Sequence, residues 1–145
     1  MIDRLPPPTA RVVAFFETLT PATLPALASV YRDDARFVDP FNDVSGLAAI
    51  RAVFEHMFAT LDEPRFEVLD ALTEGDQCFL VWNFHFRRRG RGAVGSIHGV
   101  SHLRYASDGR VALHRDYWDA AQQVYEGVPL LGAVMRWLRR RLSAG

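Results

Sequence analysis

Hydrophobic positions in the first 60 residues recur at helical intervals. They predict a helix after the proline run at residues 6–8, capped by Thr9, and a second short helix capped by Thr23 that extends to Tyr31. A short strand is predicted over residues 35–39, followed by a loop to Gly46 and an amphipathic helix over residues 47–59. The chain therefore begins with a group of helices and a single strand.

After residue 64 the hydrophobic period changes to two. The pattern predicts four strands, over residues 65–72, 77–87, 93–105 and 110–118, joined by turns that contain glycine. The second strand has one apolar face, formed by Cys78, Leu80, Trp82, Phe84 and Phe86. Helices followed by a meander of long strands predict an α+β domain, in which the helices pack on one face of a curved antiparallel sheet.

Composition limits the classes of function. With 145 residues, 49% of them hydrophobic, the chain has the size of one domain over residues 1–145. A net charge of +0 gives no field to attract nucleic acid. All the Lys and Arg positions are Arg, which excludes Schiff-base and P-loop chemistry, and the single Cys78 excludes an internal disulfide. We find neither a signal peptide nor a transmembrane segment, so a cytoplasmic location is expected.

Asp39 is an unusual carboxylate, because it lies in the aromatic segment FVDPF at residues 37–41. Apolar surroundings disfavour the charged form of a carboxyl group, a property that suits a base that accepts and returns a proton. An Asp-Pro pair also commonly ends a strand, and its side chain then bonds to the backbone of the following turn. The sequence alone leaves a catalytic role and a turn role open for Asp39.

The last predicted strand carries a second group of polar side chains. By alternation, His114, Asp116 and Trp118 share one face, while Val111, Leu113, Arg115 and Tyr117 take the other. His114 and Asp116 are close enough to exchange a proton through a water or a substrate oxygen. The alternative is structural: Asp116 pairs with an arginine such as Arg51, and His114 is an interior histidine bonded to Asp116.

Five histidines raise the question of a metal site. His98 and His102 would lie on the face opposite Ser101, and His85 could lie across from one of them. No acidic or thiolate partner is evident there, so cross-strand polar pairing or a contact in a dimer is the preferred interpretation. The sequence also lacks cofactor motifs, and we therefore predict neither a metal nor a cofactor.

The order of elements and several short motifs together resemble the nuclear transport factor 2-like superfamily, which includes ketosteroid isomerases and SnoaL-like polyketide cyclases. The motifs are FVDP at residues 37–40, GLAAIR at 46–51 and HRDYWD at 114–119, within a resemblance that extends to about residue 119. The resemblance implies a cone whose curved sheet and helices enclose an apolar pocket for a small apolar molecule. It also implies a homodimer formed through the sheet.

The resemblance to ketosteroid isomerases places Asp39 at the position of the general base. The isomerase oxyanion hole consists of a Tyr and a protonated Asp. Phe15 or Phe16 takes the place of that Tyr, and Ser101 takes the place of that Asp. Losing one such donor costs about a hundredfold to a thousandfold in rate, so steroid isomerisation of the known type is not expected.

The resemblance to SnoaL-like cyclases makes Asp116 the acid or base, with its face of the strand directed into the pocket. Asp39, Asp116 and His114 are then the candidate catalytic residues. Ser101, His114 or the Trp118 indole would donate to an enolate oxygen, and the substrate would be bound by Phe15, Phe16, Trp82, Phe84, Ser101 and Trp118. The predicted function is an isomerase or cyclase that abstracts a proton next to a carbonyl. The alternative is a ligand-binding or assembly module without catalysis.

Two arginine-rich segments remain. Residues 128–142 predict a basic amphipathic helix that extends the domain, packed over the cone opening or a partner subunit, or lying on a membrane surface. Residues 87–91 form an arginine-rich turn, which is either a solvated loop or a guide for a phosphate or a CoA-like tail.

Overall fold

The computed structural model describes residues 4–88, 94–120 and 129–144. The α-helices are α1 (Pro7–Glu17), α2 (Leu27–Val30), α3 (Leu47–Thr60) and α4 (Pro129–Leu142), and a 3-10 helix (Pro21–Ala26) precedes α2. The strands are β1 (Tyr31–Val38), β2 (Asp43–Ser45), β3 (Leu61–Glu74), β4 (Gln77–Arg88), β5 (Val94–Tyr105) and β6 (Val111–Tyr117). The predicted α+β class is confirmed.

The N-terminal helices differ from the prediction in their caps. Helix α1 begins at Pro7. Proline is favourable there because the backbone N–H groups of the first helical turn have no partner within the helix, so the missing N–H of proline costs nothing. Thr9 is therefore not the cap: its buried hydroxyl bonds to the hydroxyls of Tyr105 at 2.7 Å and Thr73 at 2.8 Å. Thr23 does not begin the next helix either, since the 3-10 helix starts at Pro21. Tyr31, predicted as helical, begins β1.

The strands of the described residues form one curved, open six-stranded sheet in the order β2-β1-β6-β5-β4-β3. Neighbouring strands are antiparallel except for β1 and β6, which are parallel. The predicted antiparallel sheet is thus mixed at one pair, because the meander from β3 to β6 returns its last strand beside β1. The predicted loop before α3 contains β2, where Asp43 accepts two hydrogen bonds from Arg36 at 2.7 and 2.8 Å.

The core lies between the concave face of the sheet and helices α1 and α3. Phe16 of α1 and Ile50 and Phe54 of α3 are buried against it. The alternation predicted for β4 is confirmed, because the side chains of Cys78, Leu80, Trp82 and Phe84 are buried. Val111 is an exception to the alternation predicted for β6: a register shift between Arg104 and Tyr105 places its side chain in the core with no exposure.

Helix α4 matches the bounds predicted for its described part, while residue 128 lies outside the described residues. Five of its apolar side chains are exposed, among them Trp137 at 52% and Leu142 at 83%. The Arg141 guanidinium lies 5.6 Å from the centre of the Trp137 ring, a cation–π contact within the helix itself. In the described parts of the chain, no helix is long and apolar enough to cross a membrane.

Candidate active site

A cavity of about 650 Å³ opens between the concave face of the sheet and helices α1 and α3. Its wall is mostly apolar and rich in aromatic side chains, which include Phe16, Phe37, Phe54, Phe66, Trp82 and Phe84. Pockets of this volume and character bind molecules of drug size, and a few polar groups then fix the orientation of the ligand. The polar side chains of this wall are Asp39, Asn42, His56, Thr60, Ser101, His114 and Asp116.

Two glycines of β5 make room for the aromatic wall. A Cβ atom built on Gly99 would lie 2.5 Å from the Trp82 ring, and one on Gly95 would lie 2.6 Å from the Phe86 ring. Each glycine pairs directly with its aromatic residue on β4. The two rings therefore lie across the β5 backbone, where any other residue would displace them. In the sequence these glycines lie four residues apart on one face of the strand, a spacing that can indicate close approach of neighbouring side chains.

A chain of hydrogen bonds crosses the floor of the cavity and converges on Asp116. The Trp82 indole N–H donates to Ser101 Oγ at 2.8 Å, and the Ser101 hydroxyl donates to Asp116 Oδ1 at 2.5 Å. His114 Nε2 lies 2.6 Å from the same Oδ1. The strand register produces this convergence, because Ser101 pairs directly with Asp116 and the side chains of His114 and Asp116 share one face of β6.

Tyr31 completes the chain, and sequence reasoning missed it. Its hydroxyl lies 2.6 Å from His114 Nδ1, and its ring is fully buried. Burial raises the pKa of Tyr31 well above its usual range, and the negative charge of Asp116 raises this pKa further. Tyr31 therefore stays protonated and donates to Nδ1, which leaves the His114 proton on Nε2, where it is donated to Asp116.

Two polar atoms at this end of the cavity keep a free hydrogen-bonding position. Within the described residues, Asp116 Oδ2 and the Trp118 indole N–H have no hydrogen-bond partner. No polar side-chain atom of the described residues is both buried and unpartnered, so both atoms reach the accessible surface. Asp116 is 14% exposed and both residues line the cavity. The site thus offers one acceptor and one donor two residues apart.

Asp39 lies at the cavity wall and also caps its own turn. Its Oδ1 accepts hydrogen bonds from the backbone N–H groups of Phe41 at 2.8 Å and Asn42 at 2.7 Å, and from the Asn42 side-chain amide at 3.0 Å. These are the contacts that the turn interpretation describes. Asp39 and Asp116 nevertheless line the same cavity, as the catalytic interpretation requires.

The model of the SnoaL-like domain family matches residues 12–114 of this chain. The chain belongs to the SnoaL-like domain family. The match ends at His114, so Asp116 and Trp118 lie just beyond it. Among curated proteins, none matches the sequence significantly.

Solved structures confirm the fold of this SnoaL-like domain. A protein of Shewanella putrefaciens assigned as a SnoaL-like polyketide cyclase has a TM-score of 0.72 at 20% identity, covering 88% of this chain and 99% of its own. A protein of ketosteroid isomerase-like fold from Catenulispora acidiphila, in complex with trimethylamine, has a TM-score of 0.72 at 15% identity, covering 83% and 92%. AclR of Streptomyces galilaeus, a proposed hydroxylase, has a TM-score of 0.62 at 22% identity, covering 77% and 76%. At these identities the likeness establishes the fold alone.

The SnoaL-like domain brings most of the residues predicted for the site to one cavity. Asp39, Asp116 and His114 line it, as do Phe16, Trp82, Phe84, Ser101 and Trp118. Phe15 is not among the lining residues: it is buried behind the wall, with its ring edge-on to that of Phe16 at 5.2 Å between centres. Of the two phenylalanines that the sequence left open, Phe16 is thus the one at the cavity.

The histidines considered for a metal site each have another partner. His98 bonds to Asn83 at 2.8 Å, His102 to Gln77 at 3.0 Å, and His85 to Glu67 at 2.8 Å. In the part of the chain that the structure describes, no three His, Cys, Asp or Glu side chains are grouped so that they could hold a metal ion. Cross-strand pairing, the preferred interpretation of the sequence, agrees with the contacts of His98 and His85.

Proposed function

We propose that this SnoaL-like domain is an acid–base enzyme that abstracts a proton next to a carbonyl group of an apolar substrate, with Asp116 as the base. The observation that carries the proposal is the arrangement of the Asp116 carboxylate. Its Oδ1 is fixed by donors from Ser101 and His114, while Oδ2 has no partner among the described residues and Asp116 lines the cavity. A base held in this way needs little reorganisation before it accepts a proton.

In the proposed reaction, Asp116 Oδ2 accepts the proton from the carbon next to the carbonyl. The electron pair of the broken C–H bond forms the C=C bond of an enolate, and the carbonyl oxygen takes the negative charge. The Trp118 indole N–H is the proposed donor to that oxygen, since both Ser101 and His114 already donate to Asp116. If a second C=C bond is conjugated to the enolate, return of the proton to the distal carbon gives an isomer. Attack of the enolate carbon on a second carbonyl instead closes a ring, and the alkoxide that forms takes the proton from Asp116.

We assign the base to Asp116 rather than Asp39 because their hydrogen bonds differ. The Asp39 carboxylate accepts backbone N–H groups that hold the turn after β1, and its Oδ2 is 3.1 Å from the Asn42 amide nitrogen. A proton added there would compete with these donors. Asp39 is proposed to shape the wall and to add negative charge to it.

The proposal is tested by deuterium exchange at the carbon next to the carbonyl of bicyclic ketones such as 2-tetralone, followed by NMR in D₂O. We expect exchange to be faster with the protein, and Asp116→Asn to remove about a hundredfold or more of that acceleration. Asp39→Asn is the matched control, expected to stay within about tenfold of the wild type. Equal losses in two folded variants would contradict the assignment of the base to Asp116.

A ligand-binding module without catalysis is the second candidate. Ser101 and His114 both donate to Asp116, so the Trp118 indole is the proposed oxyanion donor. This small number of donors favours a protein that binds ligands without catalysis. A carrier would bind ketones without accelerating their exchange, so the same NMR experiment with a binding measurement separates the two candidates.

We also propose that the protein forms a homodimer through the outer face of the sheet. This face carries the exposed apolar side chains of Leu72, Phe79 and Tyr117, at 68%, 41% and 56% exposure. The strand register places Leu72 beside Phe79 on neighbouring strands. Exposed apolar patches of this kind mark association surfaces. The cytoplasmic location expected from the sequence stays a prediction.

A further inference from the structure

The charged groups of the cavity wall have one sign. Among the described residues that line it, two are carboxylic acids, Asp39 and Asp116, and none is an arginine. The remaining titratable side chains of the wall are His56 and His114. His114 accepts a hydrogen bond from the Tyr31 hydroxyl on Nδ1 and donates one to Asp116 from Nε2.

Both acids accept several hydrogen bonds through one carboxylate oxygen. Asp116 Oδ1 receives donors from Ser101 and His114, and Asp39 Oδ1 receives three N–H groups from Phe41 and Asn42. In the described part of the chain, neither carboxylate has an arginine partner. Two acidic side chains thus face an apolar space, and no arginine among the described residues lies in its wall.

A cleft with charge of one sign and walls of low polarity strengthens the field inside it. A ligand that brings a third negative charge must lose its water and then meets repulsion from both acids. A neutral ring system avoids this cost, and a protonated amine gains attraction from the carboxylates and from the aromatic rings. The wall therefore discriminates ligands by charge before any specific contact is made.

We propose that the substrate of this cavity is an apolar compound that is uncharged or cationic, and that acids of the same shape are excluded. The inference names the substrate class of the proposed enzyme and rests on the same cavity, but it concerns binding and not turnover. The proposal contradicts the interpretation that the arginine-rich turn at residues 87–91 guides a phosphate or a CoA-like tail to the cavity. Residues 89–91 of this turn lie outside the described residues.

Three fluorescent pyrenes of nearly equal shape test the proposal: 1-pyrenemethylamine, 1-pyrenemethanol and 1-pyrenecarboxylic acid. At pH 7 they carry a positive charge, no charge and a negative charge. Their binding to the full chain is followed by pyrene fluorescence anisotropy at low and high salt. We expect the ammonium to bind most tightly, the alcohol next, and the carboxylate about tenfold to a hundredfold more weakly than the ammonium.

Two variants assign that preference to the cavity. Asp116→Asn keeps an oxygen acceptor for Ser101 and His114 but removes one charge, so the ratio of ammonium to carboxylate affinity should fall by about tenfold. Asp34→Asn removes the same charge from a side chain that is 77% exposed outside the cavity and should leave the ratio within about twofold. Thermal unfolding checks that both variants are folded.

The proposal is overturned if the carboxylate binds as tightly as the ammonium or more tightly, as guidance by the arginine-rich turn would produce. It is also overturned if Asp34→Asn lowers the ratio as much as Asp116→Asn, or if none of the three pyrenes binds. If ketone exchange is not accelerated but the affinities of the three pyrenes follow the expected order of charge, the proposed enzyme activity is refuted and the proposed ligand class is supported. If exchange depends on Asp116 but the affinities do not follow that order, the proposed ligand class is refuted and the proposed enzyme activity is supported.

Discussion

Replacing Gly99 by alanine is expected to disturb the site through Trp82. The new Cβ would lie 2.5 and 2.6 Å from two atoms of the indole ring, whereas ordinary contacts begin at 3.4 Å, so the ring must retreat by roughly 1 Å. That retreat is costly, because the Trp82 side chain is only 5% exposed and its N–H bonds to Ser101 at 2.8 Å. The substitution therefore strains the same hydrogen-bond chain that orients Asp116.

The magnitude follows from three terms. Overpacking of a core costs about 1–3 kcal/mol, and a strained or lost hydrogen bond adds about 1 kcal/mol. Replacing Gly by Ala also stabilises the folded protein by about 0.4–1 kcal/mol, because it restricts the conformations of the unfolded chain. The free energy of unfolding should thus fall by roughly 1–3 kcal/mol, which lowers the melting temperature by about 3–10 °C for a domain of this size.

Urea unfolding of Gly99→Ala, Trp82→Leu and the double variant, followed by circular dichroism, measures the coupling between the two sites. Leucine lacks the ring atoms that the new Cβ would meet, so Gly99→Ala should cost less than about 0.5 kcal/mol in the Trp82→Leu background. An equal cost in both backgrounds would refute the reasoning, since the damage would then not come from the indole.

Two further predictions concern pH and assembly. Burial raises the pKa of Tyr31 and Tyr105. The stabilisation that the two protonated hydroxyls contribute is therefore complete below the unfolded pKa of about 10 and is lost as the pH rises above that value. Urea titrations at pH 8–11 should show this loss of stability, and the loss should be smaller in Tyr31→Phe. Phe79→Glu should convert the proposed dimer to a monomer in analytical ultracentrifugation, whereas Leu142→Glu on α4 should not; a Phe79→Glu variant that remains a dimer would exclude this face of the sheet.

The elements of the fold were largely predictable because hydrophobic period reports burial directly. The alternation from Cys78 to Phe86 identified both the strand and its buried face, and α4 was predicted with its observed bounds. β2 was not predictable, because three residues carry no recognisable period and the strand depends on pairing with β1. The parallel pairing of β1 with β6 is likewise a property of the chain path and not of either strand.

The site was predictable as a set of residues but not as a set of contacts. Alternation placed His114, Asp116 and Trp118 on one face, yet only the register between β5 and β6 shows that Ser101 lies opposite Asp116. Tyr31 was missed because an aromatic residue at a helix-to-strand boundary normally indicates core packing. Its hydroxyl finds His114 through a contact between residues 83 positions apart, which no local pattern can indicate.

Ser101 takes the place of an oxyanion donor of the ketosteroid isomerases, and in the proposed mechanism it orients the base Asp116 instead. The resemblance to ketosteroid isomerases places it where an acid would donate to the oxyanion, and on that comparison alone it is a lost donor. In the structure its hydroxyl donates to Asp116 Oδ1 and accepts the Trp82 indole N–H, so the same position now orients a carboxylate. An aspartate at position 101 would face Asp116 across the strand pair, and two adjacent carboxylates cannot both remain ionised. The Ser101 hydroxyl thus donates to Asp116 without adding a second acid that would share a proton with it.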